Sequence, residues 1–406
     1  MAARLGKMAG MAAGDRTELL APYRRDGFTW AAFGALLAFG FLNAVLGPAL
    51  PYLRSVEHIG YVVGALHQVA FAVGGGLAGL LAARTGGRDR VLVIRLGLPG
   101  AAAAAVGIGY GDAAAVTVVA AFFVSLLGTS AMVRLWAALA DAHRDHRTTA
   151  LTEGEVAVSS GGIICPLLVG GLAATWLSWR FAFAVGAVLV VVAASFVWLA
   201  RVPAPTPSRG DEQPTARSYP GAHHPTATLL TVFSVVALEF SLSFWLASYL
   251  HDSVGLSRRL AVLMVAGLYV SNLVGRLIAS RLSRRMSTAA LLAGSLTVVL
   301  VGTPILLAAT DAVVAGMGLV VAGAGVGASF PLTSSLHVGK SARGADSALG
   351  QVFSIAAAGQ VVGPLLVGVL GWMLGLRLGL LLLPALALLG LVALTGSRTK
   401  AAAPGP

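Results

Sequence analysis

Glu239 lies near the middle of the apolar run FSVVALEFSLSFWLASYL. A charge placed in hydrocarbon is costly, so a carboxylate at that depth has a partner or a job. Facing a cavity, it would carry protons or touch a substrate; packed against a neighbouring helix, it would be a paired structural group. Arg134, in GTSAMVRLWAALAD, raises the same question, and Glu153 and Glu155 open a later run at a similar depth. Pairing of Arg134 with one of these glutamates is the structural reading, and binding of an anionic or proton-coupled substrate is the functional one. His67, beside Gln68 in GALHQVAFAVGGG, titrates near physiological pH or serves as a hydrogen-bonded structural imidazole. Glu239, Arg134 and His67 are therefore the candidates for proton coupling. Asn43, Gln68, Asn272, Gln351 and Gln360 are uncharged polar groups within apolar runs, where such side chains join helices or meet a substrate. Phe244, Trp245 and Tyr269 stack on a ligand or pack against their neighbours. Asn43, Gln68, Phe244, Trp245, Tyr269, Asn272 and Gln360 make up the candidate cavity lining.

Holding such groups inside hydrocarbon takes helices that cross a bilayer, and the composition supplies them. Of 406 residues, 57% are hydrophobic and 11% charged, and the mean hydropathy is +0.86. The apolar runs are about 20 residues long, enough for a helix to span the membrane. They lie near 28–50, 59–83, 91–110, 114–140, 151–175 and 181–200, and then near 228–250, 258–280, 287–308, 312–336, 346–372 and 375–395. Strand-length alternation is absent, which argues against an outer-membrane barrel. The expected fold is an all-α integral membrane protein with twelve transmembrane helices in two pseudo-symmetric six-helix bundles. Residues 1–27 form a cytoplasmic tail, 28–200 the first half, 201–227 a Pro-rich cytoplasmic linker, 228–395 the second half, and 396–406 a second cytoplasmic tail.

The net charge of +12 has a topological explanation. Arg54, Arg180, Arg258, Arg259 and Arg377 fall on one side of these spans. Apart from Arg134, the remaining Lys and Arg fall on the other side, which places both termini in the cytoplasm of a bacterial inner-membrane protein. No basic, aromatic-interleaved patch suggests nucleic acid. Cys165 is the single cysteine, so no intrachain disulfide forms, and His223 and His224 lack further ligands at metal spacing. VGKS at Val338–Ser341 has Ser334 where a phosphate loop needs glycine, and neither HExxH nor GxSxG occurs. An enzyme is not expected, nor is a cofactor. The energy source would be a proton gradient, and the partners would be the lipid bilayer, a small-molecule substrate and protons, for a chain working as a monomer.

One stretch is written twice. GGIICPLLVGG at Gly161–Gly171 returns as GQVVGPLLVGV at Gly359–Val369, GTS at Gly128–Ser130 as GAS at Gly327–Ser329, and GLLAAR at Gly79–Arg84 as GRLIAS at Gly275–Ser280. Internal repeats of this kind build secondary transporters. With this repeat, the linker, WLSWRFAF at Trp176–Phe183 and the basic loop GLLAARTGGRDR, the chain resembles the major facilitator superfamily over nearly its whole length. The resemblance makes Gly79, Arg84, Gly86, Arg88, Gly275 and Arg276 candidates for gating loops; read from charge alone, the arginines are topological anchors. Ala83 and Ala279 stand where the superfamily's loop carries aspartate. Gly161, Pro166 and Gly170, and again Gly359, Gly363, Pro364 and Gly368, resemble its antiporter motif, with Cys165, Val169 and Val367 departing from it. Pro166 and Pro364 are expected bends where the halves meet. The resemblance implies transport by alternating access, with proton-coupled export of a drug-like compound or metabolite as the leading expectation. Proton-coupled uptake of a sugar, organic acid or other nutrient is the alternative, and a non-transporting receptor a distant one.

Overall fold

The computed structural model describes residues 23–85, 89–143, 146–203, 225–340 and 345–399. The first tail up to residue 22, most of the linker with His223 and His224, the loop residues Gly86 and Arg88, and the last residues of the chain lie outside them. The described residues hold twelve spans long and apolar enough to cross a bilayer, and no strands. In the first half, α1 (Gly27–Ala44) and α2 (Leu46–Glu57) make one broken span. It is followed by α3 (Tyr61–Thr85), α4 (Arg90–Tyr110), α5 (Ala114–Ala142), α6 (Arg147–Leu172) and α7 (Phe181–Leu199). The second half contains α8 (Pro225–Asp252), α9 (Arg258–Leu282), α10 (Thr288–Ala308), α11 (Ala312–Lys340) and α12 (Ala345–Leu374). Its last span is again broken, into α13 (Leu376–Gly379) and α14 (Leu382–Thr399). Alternating span direction puts the inter-half linker on one face of the bundle, the linker face, and Glu57, Asp112, Asp252 and Gly375 toward the other, the far face.

Helix starts follow local chemistry. Asp26 accepts from the Thr29 amide at 2.8 Å, and the Ser257 and Ser287 hydroxyls accept from Leu260 and Ala290, each at 3.3 Å. These side chains satisfy amides that have no partner within their own helix. The break between α1 and α2 also has a sequence cause. Pro48 and Pro51 remove two amides from the first turns of α2. Gly47, beside Pro48, lets α2 approach α8 so closely that an added Cβ would lie 2.5 Å from the Ser243 carbonyl oxygen. The single span expected over 28–50 is thus two helices that continue to Glu57.

The repeated stretch acts twice in the same way. A Cβ on Gly161 would fall 2.0 Å from the Leu37 carbonyl oxygen, and one on Gly363 would fall 2.5 Å from that of Ala237, so α6 rides on α1 as α12 rides on α8. One to three turns later the same helices cross to the opposite half. Gly170 meets Leu263 of α9, and Gly368 meets Ala65 and the Tyr61 carbonyl of α3. Small residues permit each approach, as membrane helices packed by van der Waals contact require. Pro166 and Pro364 sit inside α6 and α12, and both helices run on through them without a break. Large apolar side chains face outward along most spans, among them Leu96, Val188, Phe196 and Val320. A lipid-facing surface explains them.

Candidate functional site

A cavity of about 250 Å³ lies between the halves, with Glu155, Glu239 and Arg276 among its lining residues. Its walls come from the α1–α2 break (Asn43, Ala44, Leu46, Gly47), from Gln68 of α3, from Glu155, Ser159 and Gly162 of α6, from Glu239, Phe240, Ser243 and Phe244 of α8, and from Tyr269, Asn272 and Arg276 of α9. Helical spacing assembles each wall: Glu155, Ser159 and Gly162 share one face of α6, as Tyr269, Asn272 and Arg276 share one face of α9. A shallow groove between α4 and α5, lined by Gly100, Val116, Phe123 and Leu127, encloses more volume, about 540 Å³, but its lining is apolar and uncharged.

Arg276 is the electrostatic centre. Its Nη2 lies 4.0 Å from Oε1 of Glu239, and its Nε donates to the Gly327 carbonyl at 2.8 Å. That second bond depends on glycine. A Cβ on Gly275 would come 2.0 Å from the Ala324 carbonyl oxygen and one on Gly327 would come 2.1 Å from that of Asn272, so α9 and α11 touch backbone to backbone where Arg276 reaches across. Glu155, which belongs to the opposite half, lines the same cavity as Arg276. Two carboxylates, one from each half, thus share the cavity with one guanidinium, which is the single cation among the residues lining it.

Of the residues expected to line the cavity, Asn43, Gln68, Phe244, Tyr269 and Asn272 do so, together with Glu239. Trp245 and Gln360 do not. The Trp245 ring is fully buried and its Nε1 donates to the Pro364 carbonyl at 2.9 Å, which makes it a packing residue between α8 and α12. Arg134 is also away from the cavity. It is buried near the linker face, donates through Nη2 to the Thr85 hydroxyl, and has Asp89 and Arg90 as its charged neighbours. The expected pairing of Arg134 with a glutamate does not form. Glu153 is taken by Arg25, whose Nε donates at 2.9 Å, and by the Tyr23 hydroxyl at 2.9 Å. Burial, then the bond to Glu153, pushes the Tyr23 phenol up to about 12, so it remains a donor at neutral pH. His67 is fully buried inside the first half, between α3 and α5. Among the gating candidates, Arg84 is exposed, a Cβ on Gly79 would meet nothing within 4 Å, and Arg276 faces the cavity rather than a loop. Glu155, Ser159 and Ser243 were not anticipated as lining residues; their spacing from Gly162 and Glu239 along one helix face was the available signal.

The model of the Major Facilitator Superfamily matches residues 28–357. The chain belongs to this superfamily. Solved structures of similar fold include a bacterial homologue of the human lysosomal transporter Spinster in an inward-facing, unoccupied conformation (14% identity, 94% of this chain and 100% of that one, TM-score 0.75). They also include the nucleoside transporter NupG (13% identity, 92% and 100% covered, TM-score 0.71) and a D-xylose-proton symporter (15% identity, 91% and 96% covered, TM-score 0.70). No curated protein matches the chain in sequence. At such identities the likeness is one of fold. Membership in the superfamily makes the protein a multi-pass membrane transporter of the secondary kind rather than an enzyme.

Proposed function

We propose that this protein exports a small amphipathic organic cation, drug-like or metabolite, in exchange for protons across the bacterial inner membrane, with both termini in the cytoplasm. The observation that supports this is the charge balance of the cavity: Glu155 and Glu239 against Arg276. Arg276 offsets one carboxylate. The other is neutralised by a proton or by the positive group of a substrate, and one site cannot hold both. Mutually exclusive occupancy is what obligatory exchange in opposite directions requires, and alternating access presents that site to each side in turn. Phe240, Phe244 and Tyr269 add aromatic faces on which a cationic ring system can lie. Both halves of the cavity come from one chain, so a monomer suffices, with the proton gradient as its energy source and no cofactor.

Uptake of a sugar or another nutrient with protons is the second reading. Asn43, Gln68, Ser159, Ser243 and Asn272 favour it, because they give the cavity hydrogen-bonding groups suited to a polyol. Proteoliposomes with an imposed pH gradient separate the two, using ethidium and tetraphenylphosphonium as cationic probes and a panel of radiolabelled sugars. The export reading expects the cations to move against the protons, and Glu239→Gln to abolish gradient-driven accumulation. Unchanged accumulation in that variant would overturn proton coupling at Glu239. Sugar movement in the direction of the protons, with none of the cations, would establish uptake instead.

A further inference from the structure

We propose that Glu57, Thr117 and His67 form a proton-binding site of their own, reached from the far face of the first half and separate from the central cavity. The three side chains come from three elements: the end of α2, the start of α5 and the second turn of α3. His67 Nδ1 lies 3.2 Å from the Gly64 carbonyl oxygen, His67 Nε2 lies 2.8 Å from Thr117 Oγ1, and Thr117 Oγ1 lies 2.9 Å from Glu57 Oε1. His67 is fully buried, whereas Glu57 is partly exposed at the rim, so the chain runs from the aqueous surface into the protein.

Three contacts in a row need three hydrogens. The Thr117 hydroxyl brings one and a neutral imidazole brings one. The third is an added proton. In one arrangement it sits on Glu57, which donates to Thr117; Thr117 then donates to Nε2, and Nδ1–H donates to Gly64. In the other it sits on His67, which donates through both nitrogens while Thr117 donates to the Glu57 carboxylate. The two arrangements hold the same proton and interconvert by transfers across Thr117, with no heavy atom displaced. Without it, one contact sets lone pair against lone pair in a buried place, which is costly. The Thr117 hydrogen can turn instead to the Ala114 or Ala113 carbonyl, at 3.2 and 3.4 Å, which only increases the demand for hydrogens along the chain. Glu57 Oε2 is buried without a hydrogen-bond partner, in keeping with a carboxyl group that spends part of its time protonated.

The charged and titratable surroundings are few. Arg54 and His58 share the α2 segment, and Arg54 is committed to Asp252, 2.6 Å away. Tyr61 of α3 donates to the same Asp252. Arg180, ahead of α7, donates to the Gly109 carbonyl, lies 3.9 Å from Asp112 and acts on Glu57 through its charge. None of these donates a hydrogen bond to Glu57 or His67, so the third hydrogen has to come from solution. The site holds its proton only while α2, α3 and α5 are packed together.

The test uses the full-length protein in nanodiscs. Proton release across neutral pH, counted in weak buffer with an indicator dye, is expected to be one proton per chain smaller for Glu57→Gln than for the native protein. The glutamine amide of that variant supplies the third hydrogen at every pH. Thermal unfolding gives a second readout. A proton bound in the folded state and not in the unfolded one stabilises at low pH and is lost as pH rises, so the native midpoint falls with pH more steeply than that of Glu57→Gln. If Glu57→Gln does not fold, Thr117→Ser, which keeps the hydroxyl, should retain the native pH profile and Thr117→Val should lose it. Equal proton counts, or parallel pH profiles for all variants, would overturn the site. Because Glu239 is intact in every arm, neither result depends on the proposed function.

Discussion

Arg276 is held from two directions, and that arrangement sets what its replacement does. Its Nε is fixed to the Gly327 carbonyl and its Nη2 faces Glu239, while Glu155 lines the same cavity. Removing the guanidinium leaves two carboxylates without a counter-charge in one cavity, whereas removing a carboxylate together with it restores the balance. Arg276→Gln should therefore lower thermal stability in detergent more than the Arg276→Gln, Glu239→Gln double variant does. A double-mutant cycle should give a coupling of about 0.5–3 kcal/mol. Additive effects would show that the 4.0 Å separation carries no interaction. Arg276→Lys keeps the charge but not the planar fork, so it should bind a cationic probe while losing the Gly327 anchor. The sequence hid this residue for a physical reason. In GRLIASRLSRR it heads a basic run at the end of a span, where arginines anchor topology, and only its phase with Tyr269 and Asn272 turns it inward. Arg134 shows the converse. Its depth in the sequence matched that of Glu153, but depth says nothing about azimuth, and Glu153 turns to Arg25 and Tyr23 instead.

Helices were the most legible elements, because an apolar run of span length has few alternatives in a membrane and its ends are set by local caps. The broken first span was harder to read. Its apolar run over 28–50 looked continuous; Pro48 and Pro51 account for the break, and the approach of α2 to α8 at Gly47 makes it a wall of the cavity. The repeated Gly-Pro stretch was expected to bend where the halves meet, and its glycines prove to be points of close approach: to backbone of the same half at Gly161 and Gly363, and to the opposite half at Gly170 and Gly368. Glycines in this chain are thus not equivalent, and substitution should sort them. Gly161→Ala forces a methyl group to 2.0 Å from the Leu37 carbonyl oxygen and should separate α6 from α1. Overpacking of this kind costs about 1–3 kcal/mol, read as a lower midpoint of thermal unfolding. Gly79→Ala meets open space and gains up to about 1 kcal/mol of helix propensity, so it should be neutral or stabilising. Destabilisation by both to the same extent would mean that glycine is needed in these helices for flexibility rather than for approach.

For the molecule as a whole, the internal repeat made the two halves legible, while the contacts that join them could not be read from either half alone. On the far face the join is ionic. Arg54 of α2 lies 2.6 Å from Asp252 of α8, the Tyr61 hydroxyl of α3 donates to the same carboxylate at 3.0 Å, and the Arg54 guanidinium sits 3.9 Å above the Tyr61 ring. The Arg258 guanidinium of α9 likewise lies over the Tyr52 ring of α2, 5.5 Å from its centre. These groups tie the halves together on the side away from the linker, and any form open to that side has to part them. Both charges of the Arg54–Asp252 pair are partly shielded, at 17% and 24% exposure, so the pair belongs at the upper end of what accessible salt bridges contribute, about 1 kcal/mol. Asp252→Asn keeps an acceptor for Tyr61 but removes the charge, and should lower the ratio of tied to open forms roughly fivefold, which is what about 1 kcal/mol represents. Spin labels at Ser55 and Ser253, on the two sides of the tie, would report this as a longer-distance population in the variant. An identical distance distribution in native and Asp252→Asn proteins would mean that apolar packing of α2 on α8, and not this ion pair, keeps the far face closed.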